Sequence, residues 1–179
     1  MKSVERLKAE HELIERGLNL LEKAVARIEA GQPLSHGFSQ WAPRFFQQFA
    51  DQCHHAKEED VFFPVLEQRG IPEQGGPIGV MLYEHEMGRD WMDRMRKASE
   101  AQSFDAHSFA EAAKEYISLL RQHIFKENNV LFRMAERVMT QADDAEVTSR
   151  FSQVEQERGL TNFHENFGNE VARWEQTLG

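Results

Sequence analysis

His54 to Pro64 reads HHAKEEDVFFP, and His123 to Arg133 reads HIFKENNVLFR. In each stretch a histidine precedes a glutamate by four residues, His54 with Glu58 and His123 with Glu127. After each glutamate comes an acid or amide, a polar residue, Val, a large apolar residue and Phe. Upstream of both lies the triplet Glu-His-Glu, at Glu10-His11-Glu12 and at Glu84-His85-Glu86. His11 and His54 are 43 positions apart, His85 and His123 are 38 apart. Such a repeat predicts a chain built from two copies of one helical hairpin. Four histidines and two carboxylates held that way point to a metal site, and to two ions rather than one.

The residues around these motifs carry helical periodicity. Val4, Leu7, Ile14, Leu18, Leu21, Val25 and Ile28 form a 3-4 seam whose vacant slot is His11, predicting a first helix from about Val4 to Ala30, closed by Gly31. The second helix starts between Ser35 and Pro43 and ends at Gly70. It buries Phe45, Phe46, Phe49, Val61, Phe62, Val65 and Leu66, with His54 and Glu58 on the same stripe and a bend expected at Pro64. The third opens at Pro77 and places His85 in the seam of Ile78, Met81, Met92 and Met95. The fourth starts near Asp105, a plausible N-cap, and buries a stripe from Phe109 through Ile124, Val130 and Leu131 to Val138, with His123 and Glu127 inside it. An all-α, antiparallel up-down-up-down four-helix bundle follows, with its core at about 4–139. At roughly 1.5 Å per residue, His11 and His85 lie about 10 Å from their helix starts, a depth compatible with the two glutamates.

Composition narrows the class further. The 179 residues are enough for one domain, 1–179, and Val, Ile and Thr never cluster into alternating runs, so strands are not expected. The net charge of −9 is spread without a basic stripe, which argues against nucleic-acid binding. The charged start MKSVERLKAEHEL has no apolar run, and no stretch reaches the roughly 18 apolar residues of a membrane span, which predicts a cytoplasmic protein that binds no membrane. The single cysteine, Cys53, excludes an intrachain disulfide and any cysteine-based metal cage. It is expected to be a small buried hydrophobe.

A histidine and a glutamate four apart share one helix face and can reach a common centre. Neutral imidazoles with carboxylates suit iron, manganese or zinc, whereas magnesium and calcium prefer oxygen alone. Two carboxylates at matched positions can bridge two ions, leaving two histidines for each and an open position for a small molecule. That favours a di-iron centre meeting dioxygen, peroxide or nitric oxide. The ferritin-like alternative needs a glutamate three residues before a histidine, and no histidine here has one.

The order H…HxxxE…H…HxxxE resembles the hemerythrin-like, or HHE cation-binding, family over roughly Val4 to Val138. The resemblance implies a four-helix bundle around two non-haem iron ions joined by an oxo or hydroxo bridge, with zinc or manganese as substitutes. It makes His11, His54, His85 and His123 terminal ligands and Glu58 and Glu127 bridges. Oxygen carriers of the family have HxxxH on the third helix and HxxxxD on the fourth. Here Arg89 stands four beyond His85, and the last carboxylate is a glutamate at four. With the fifth histidine missing from its usual place, the site is closer to the four-histidine, two-glutamate arrangement of iron–sulfur repair and peroxide- or NO-responsive members.

Other residues compete for roles. His55 and Glu59 offer the same spacing shifted by one; the register of the second copy favours His54 and Glu58, leaving Glu59 as a partner of a ligand or of a cation. Glu12 and Glu86 are read as solvated, Tyr83 and Tyr116 as packing residues, and His36 and His107 as structural or exposed. The tail, about 143–178, is split by Gly159 into two helices and has an apolar face of Leu160, Phe163, Phe167, Val171 and Trp174. It is expected to cover the metal-bearing end, with His164 a candidate fifth histidine, or else to serve a dimer; monomer and homodimer both stay open. The leading functional expectation is a di-iron protein that binds, senses or reduces a small oxidant, with any peroxidase-type turnover weak. The alternatives are an iron-binding module for storage, donation or iron sensing, and a bundle without metal.

Overall fold

Helices dominate residues 1–178, which the computed structural model describes, and no strand occurs among them. Helix α1 spans Lys2–Glu29, α2 residues 36–68, α3 Pro77–Glu100, α4 residues 106–138, α5 Gln141–Glu157 and α6 Phe163–Leu178. The second and fourth are composite. In α2, π-helical turns at Phe46–His55 and Glu58–Phe62 sit between α-helical ends; in α4 one π-helical turn covers Glu127–Leu131. A π turn therefore starts at the repeated glutamate in both copies. Pro64 follows the first of these turns and helix α2 runs on through it to Gln68. Since Arg133 occupies the matching place in the second copy, the shift to i→i+5 bonding belongs to the motif and not to proline.

Local chemistry sets the ends. Pro77 is the first residue of α3, where a missing N–H costs nothing, and Asp105 caps α4 by accepting from the Ser108 amide at 3.0 Å. Helix α5 begins slightly before the expected tail, at a capping box in which Thr140 and Asp143 satisfy each other's backbone amides. Gly159, at φ +68, turns the chain between α5 and α6.

Helix α1 packs on α2 and α4, and α3 packs on α2 and, most extensively, on α4. Their apolar faces form two clusters. One joins Leu13–Val25 of α1 to Phe38–Ala50 of α2, Met92 and Met95 of α3 and Phe109–Ile124 of α4. The other joins Val4 and Leu7 to Val61–Leu66, Ile78, Met81, Leu131 and Phe132. Buried histidines and glutamates occupy the level between them. At one crossing α1 and α2 touch so closely that a Cβ on Gly17 would lie 2.3 Å from the Phe45 ring.

The tail departs from expectation. It runs along a flank instead of closing an end: α5 lies on α1 and the Glu58–Phe62 turn, and α6 on α1 and the Phe46–His55 segment. Val147 and Phe151 enter one apolar cluster, Phe167 and Val171 the other, so its apolar face is used within the chain. Val130, expected in the buried stripe, is 49% exposed, whereas its counterpart Val61 is buried on the flank where α5 packs. No helix of the described residues is long and apolar enough to cross a membrane.

Candidate metal centre

All six sequence-derived residues, His11, His54, Glu58, His85, His123 and Glu127, are buried and converge between the two apolar clusters. A seventh, His55, joins them. Two groups of donors result: His55, Glu58, His85 and His123 form one, and His11, His54, Glu58 and Glu127 the other, with donor atoms within 4.8 Å of one another in each. Glu58 links the groups, with Oε1 3.5 Å from His54 Nε2 and Oε2 3.5 Å from His85 Nε2. Glu127 Oε2 stands 3.1 Å from His11 Nε2 and 3.3 Å from His123 Nε2.

His54 and His55 both face inward because α2 runs between two partners. Consecutive residues on a helix diverge by roughly 100°. That turns His54 towards α1, where it meets His11 edge-on at 4.5 Å between centroids, and His55 towards α3, where it stacks on His85 at 3.9 Å. His54 and Glu58 thus share a donor group as the register of the second copy implies, and His55 stands in the other group beside Glu58. His164, the candidate fifth histidine, is exposed, with Nε2 3.4 Å from the Ala9 carbonyl oxygen, and is absent from both groups.

The two halves share more than their ligands. His11 with His54, and His85 with His123, both meet at an interplanar angle of 61°. His11 stacks on Phe132 at 5.5 Å, and His85 on Phe63 at 5.9 Å, so the phenylalanine of each motif supports a histidine of the other copy.

Behind the rings lies an outer layer of acceptors. Glu10 Oε2 is 2.9 Å from His54 Nδ1 and Glu84 Oε2 is 3.0 Å from His123 Nδ1. Glu59 Oε1 is 2.7 Å from His85 Nδ1 and Asn128 Oδ1 is 3.0 Å from His11 Nδ1. Each acceptor fixes its histidine in the Nδ1–H form and leaves Nε2 for the centre, the usual way protein carboxylates orient metal-binding imidazoles. His55 Nδ1 faces Asp51 at 3.6 Å, and Arg89 ties Asp51 to Glu59 at 2.8 and 2.7 Å. Lys57 pairs with Glu10 and Lys126 with Glu84. Glu12 and Glu86 are exposed.

The sequence reading missed Glu10, Glu84, Asn128 and the two lysines as working parts. The signal was present, since both motifs read His-x-x-Lys-Glu and both triplets begin with glutamate. Tyr116 packs on Phe46 while Tyr83 is exposed, and neither contacts the centre by hydrogen bond. Buried Cys53 has its thiol pushed up to about 12, first by burial, and so stays unreactive.

Electrostatics separate the two bridging candidates. Burial, then repulsion from Glu127, raises Glu58 well above the usual carboxylate range. Burial would also raise Glu127, but His123 and His11 outweigh it and hold that carboxylate well below the range. His54, His85 and His55 are driven down by burial and remain neutral imidazoles. His123 goes the other way: against burial, Glu127 and Glu84 lift it to about 9.

The donor set fits a metal ion on a simple criterion. His11 Nε2, His54 Nε2 and all four oxygens of Glu58 and Glu127 are buried without a hydrogen-bond partner. Each such group costs about 1–3 kcal/mol, and more when charged. Six of them aimed at one centre are satisfied together by cations.

Fold and centre define a helical metal-binding protein of the histidine–glutamate type. The chain belongs to the hemerythrin HHE cation-binding domain family, whose sequence model matches residues 2–135. It is 25% identical over 179 residues to uncharacterised proteins of Mycobacterium tuberculosis and Mycobacterium bovis, an alignment covering 98% of this chain and 69% of theirs. It is 27% identical over 118 residues to the iron–sulfur cluster repair protein YtfE of Salmonella schwarzengrund, covering 62% of this chain and 53% of that protein. No solved structure matches the chain.

Proposed function

We propose that the chain holds two iron ions in an antiparallel four-helix bundle formed by α1 to α4 and uses them to bind, sense or reduce a small oxidant such as dioxygen, peroxide or nitric oxide. One observation carries the reading: two buried donor groups share Glu58, and their carboxylate oxygens have no protein partner. His55, His85 and His123 would hold one ion, His11 and His54 the other, with Glu58 and Glu127 common to both. The bundle topology is supported by the apolar cluster that unites the start of α1 with the later part of α2 and the start of α3 with the later part of α4.

The set therefore contains five histidines, one more than the sequence reading assigned. Three imidazoles face one side of the centre and two the other. Iron held by these residues would supply the electrons that such oxidants accept. The protein's own residues do the rest. Phe132 and Phe63 stack on His11 and His85, and Phe62 packs on Phe132, giving that side of the centre an apolar wall. Glu10, Glu84, Glu59 and Asn128 hold the Nδ1 protons, so the rings keep one orientation as charge at the centre changes.

Reconstitution of metal-free protein with ferrous iron tests this directly. Two iron equivalents per chain, near-ultraviolet charge-transfer absorption after oxidation, and fast reaction with peroxide or nitric oxide in stopped flow are expected. Two equivalents without any such reaction would favour storage, donation or iron sensing instead. No iron uptake would overturn the metal reading.

A further inference from the structure

The outer layer is matched in the two halves except at one point. Glu84 meets Lys126, whose side chain is 36% exposed and reaches no further acid. Glu10 meets Lys57, which is fully buried and continues to Glu155 of α5, 2.8 Å from its Nζ. Helix α5 lies beyond the residues 2–135 that the family model matches. A segment outside the family region thus reaches the ligand layer of one half and not of the other.

Glu155 balances the charge of this cluster. Lys57 and Arg6 supply two cations, Glu10 and Glu155 two anions, and Arg6 closes the set on Glu155 Oε2 at 2.5 Å. An ammonium has three donors and no acceptor, and a buried one must spend them. Lys57 spends one on Glu10 Oε1 and one on Glu155 Oε1. Glu10 keeps Oε2 for His54 Nδ1 at 2.9 Å. Without the Glu155 carboxylate two of the three donors are unspent, and Glu10 is the one acid left bonded to Lys57 to draw them.

We propose that Glu155 is a positioning residue for the metal centre: by holding Lys57 away from Glu10 Oε2, it keeps that oxygen on His54 and so fixes the His54 ligand. The inference rests on the proposed metal reading. It also gives the tail a task that a merely packing segment lacks.

Glu155→Leu, which removes the acceptor oxygen that a glutamine would keep, Glu155→Asp, Lys57→Met and the double variant Lys57→Met with Glu155→Leu test it beside the wild type. In metal-free protein, nitrogen-15 NMR would follow exchange of the His54 and His123 Nδ1 protons. In iron-loaded protein, transfer of each ion to a chelator would be timed. Loss of a partner behind a ligating histidine typically weakens the site about 10-fold or more. Expected for Glu155→Leu are two iron equivalents, about 10-fold faster exchange at His54, and about 10-fold faster release of one ion, with His123 and the other ion unchanged. Glu155→Asp, which keeps the carboxylate, should show a smaller effect, and in the Lys57→Met background Glu155→Leu should add nothing. Wild-type exchange and release in folded Glu155→Leu would overturn the proposal, as would an equal change at His123. If Glu155→Leu alone does not fold, a further labilisation of His54 on adding it to Lys57→Met overturns it, and no further change supports it. A wild-type chain that takes up no iron would sink the metal reading, and this inference with it.

Discussion

His55 lies face to face with His85, ring centroids 3.9 Å apart and planes inclined by 16°. The contact joins α2 to α3 at the level of the centre and puts a third imidazole beside His85 and His123. It also changes what each of the adjacent histidines is expected to do.

His55→Ala should lower iron content from two equivalents towards one and shift the charge-transfer bands, because it strips a donor from the His85–His123 side. His54→Ala should strip the other side. Metal analysis with absorption spectra on both variants checks this. A His55→Ala protein with full iron content and an unaltered spectrum would return His55 to a packing role.

The two glutamates of each triplet should behave oppositely. Glu84 holds His123 Nδ1 at 3.0 Å and pairs with Lys126, while Glu86 is exposed beside Arg89. Glu84→Gln should weaken metal binding about 10- to 100-fold, the range for carboxylates behind ligating histidines. Glu86→Gln should leave it unchanged. Competition against a chelator of known affinity measures both, and equal effects would refute the distinction.

Acidity separates the metal-free protein from the loaded one. His123 titrates near 9 when folded, above the usual 6.5, so the folded state binds more protons than the unfolded chain between those values. Its stabilising contribution is complete below 6.5 and is lost as pH rises through about 9. The raised Glu58 acts in the same direction, whereas His54, His55 and His85, neutral when folded but half-protonated in the unfolded chain at 6.5, oppose the trend until roughly one unit above that value. Metal-free protein should therefore lose thermal stability from about pH 7.5 to 9. Metal affinity should rise over the same range, because ligand protons must leave first. Thermal melts and chelator competition across that range would show it, and parallel trends would count against the assignment.

Gly17→Ala should destabilise the fold by about 1–3 kcal/mol, the usual cost of forcing atoms into a packed core. The new Cβ would meet the Phe45 ring at 2.3 Å, which outweighs the gain in helix propensity of about 1 kcal/mol. Chemical denaturation measures the difference. An unchanged or higher midpoint would mean that α2 shifts to admit the methyl group.

Much of the fold is legible in the sequence. Helix ends at Gly31, Gly70 and Pro77, the Asp105 cap and the break at Gly159 follow from backbone chemistry that acts within a few residues. The six matched histidines and glutamates are legible because repetition makes accident improbable, and because buried carboxylates need a reason. Arg89, noted only as the residue standing where a histidine was expected, proved to link Asp51 behind His55 to Glu59 behind His85.

The sequence by itself determined that the chain is helical, that it folds from two related halves, and that buried histidines and glutamates recur in matching places. Tertiary structure alone decided which groups meet. A linear period assigns one face to each residue, but α2 lies between α1 and α3, so its neighbouring histidines serve two different partners. Likewise, the repeat cannot tell Lys57 from Lys126; only the packing of α5 buries the first against Glu155 and leaves the second at the surface. Contacts between residues about a hundred positions apart depend on how amphipathic faces choose each other, and local pattern does not encode that choice.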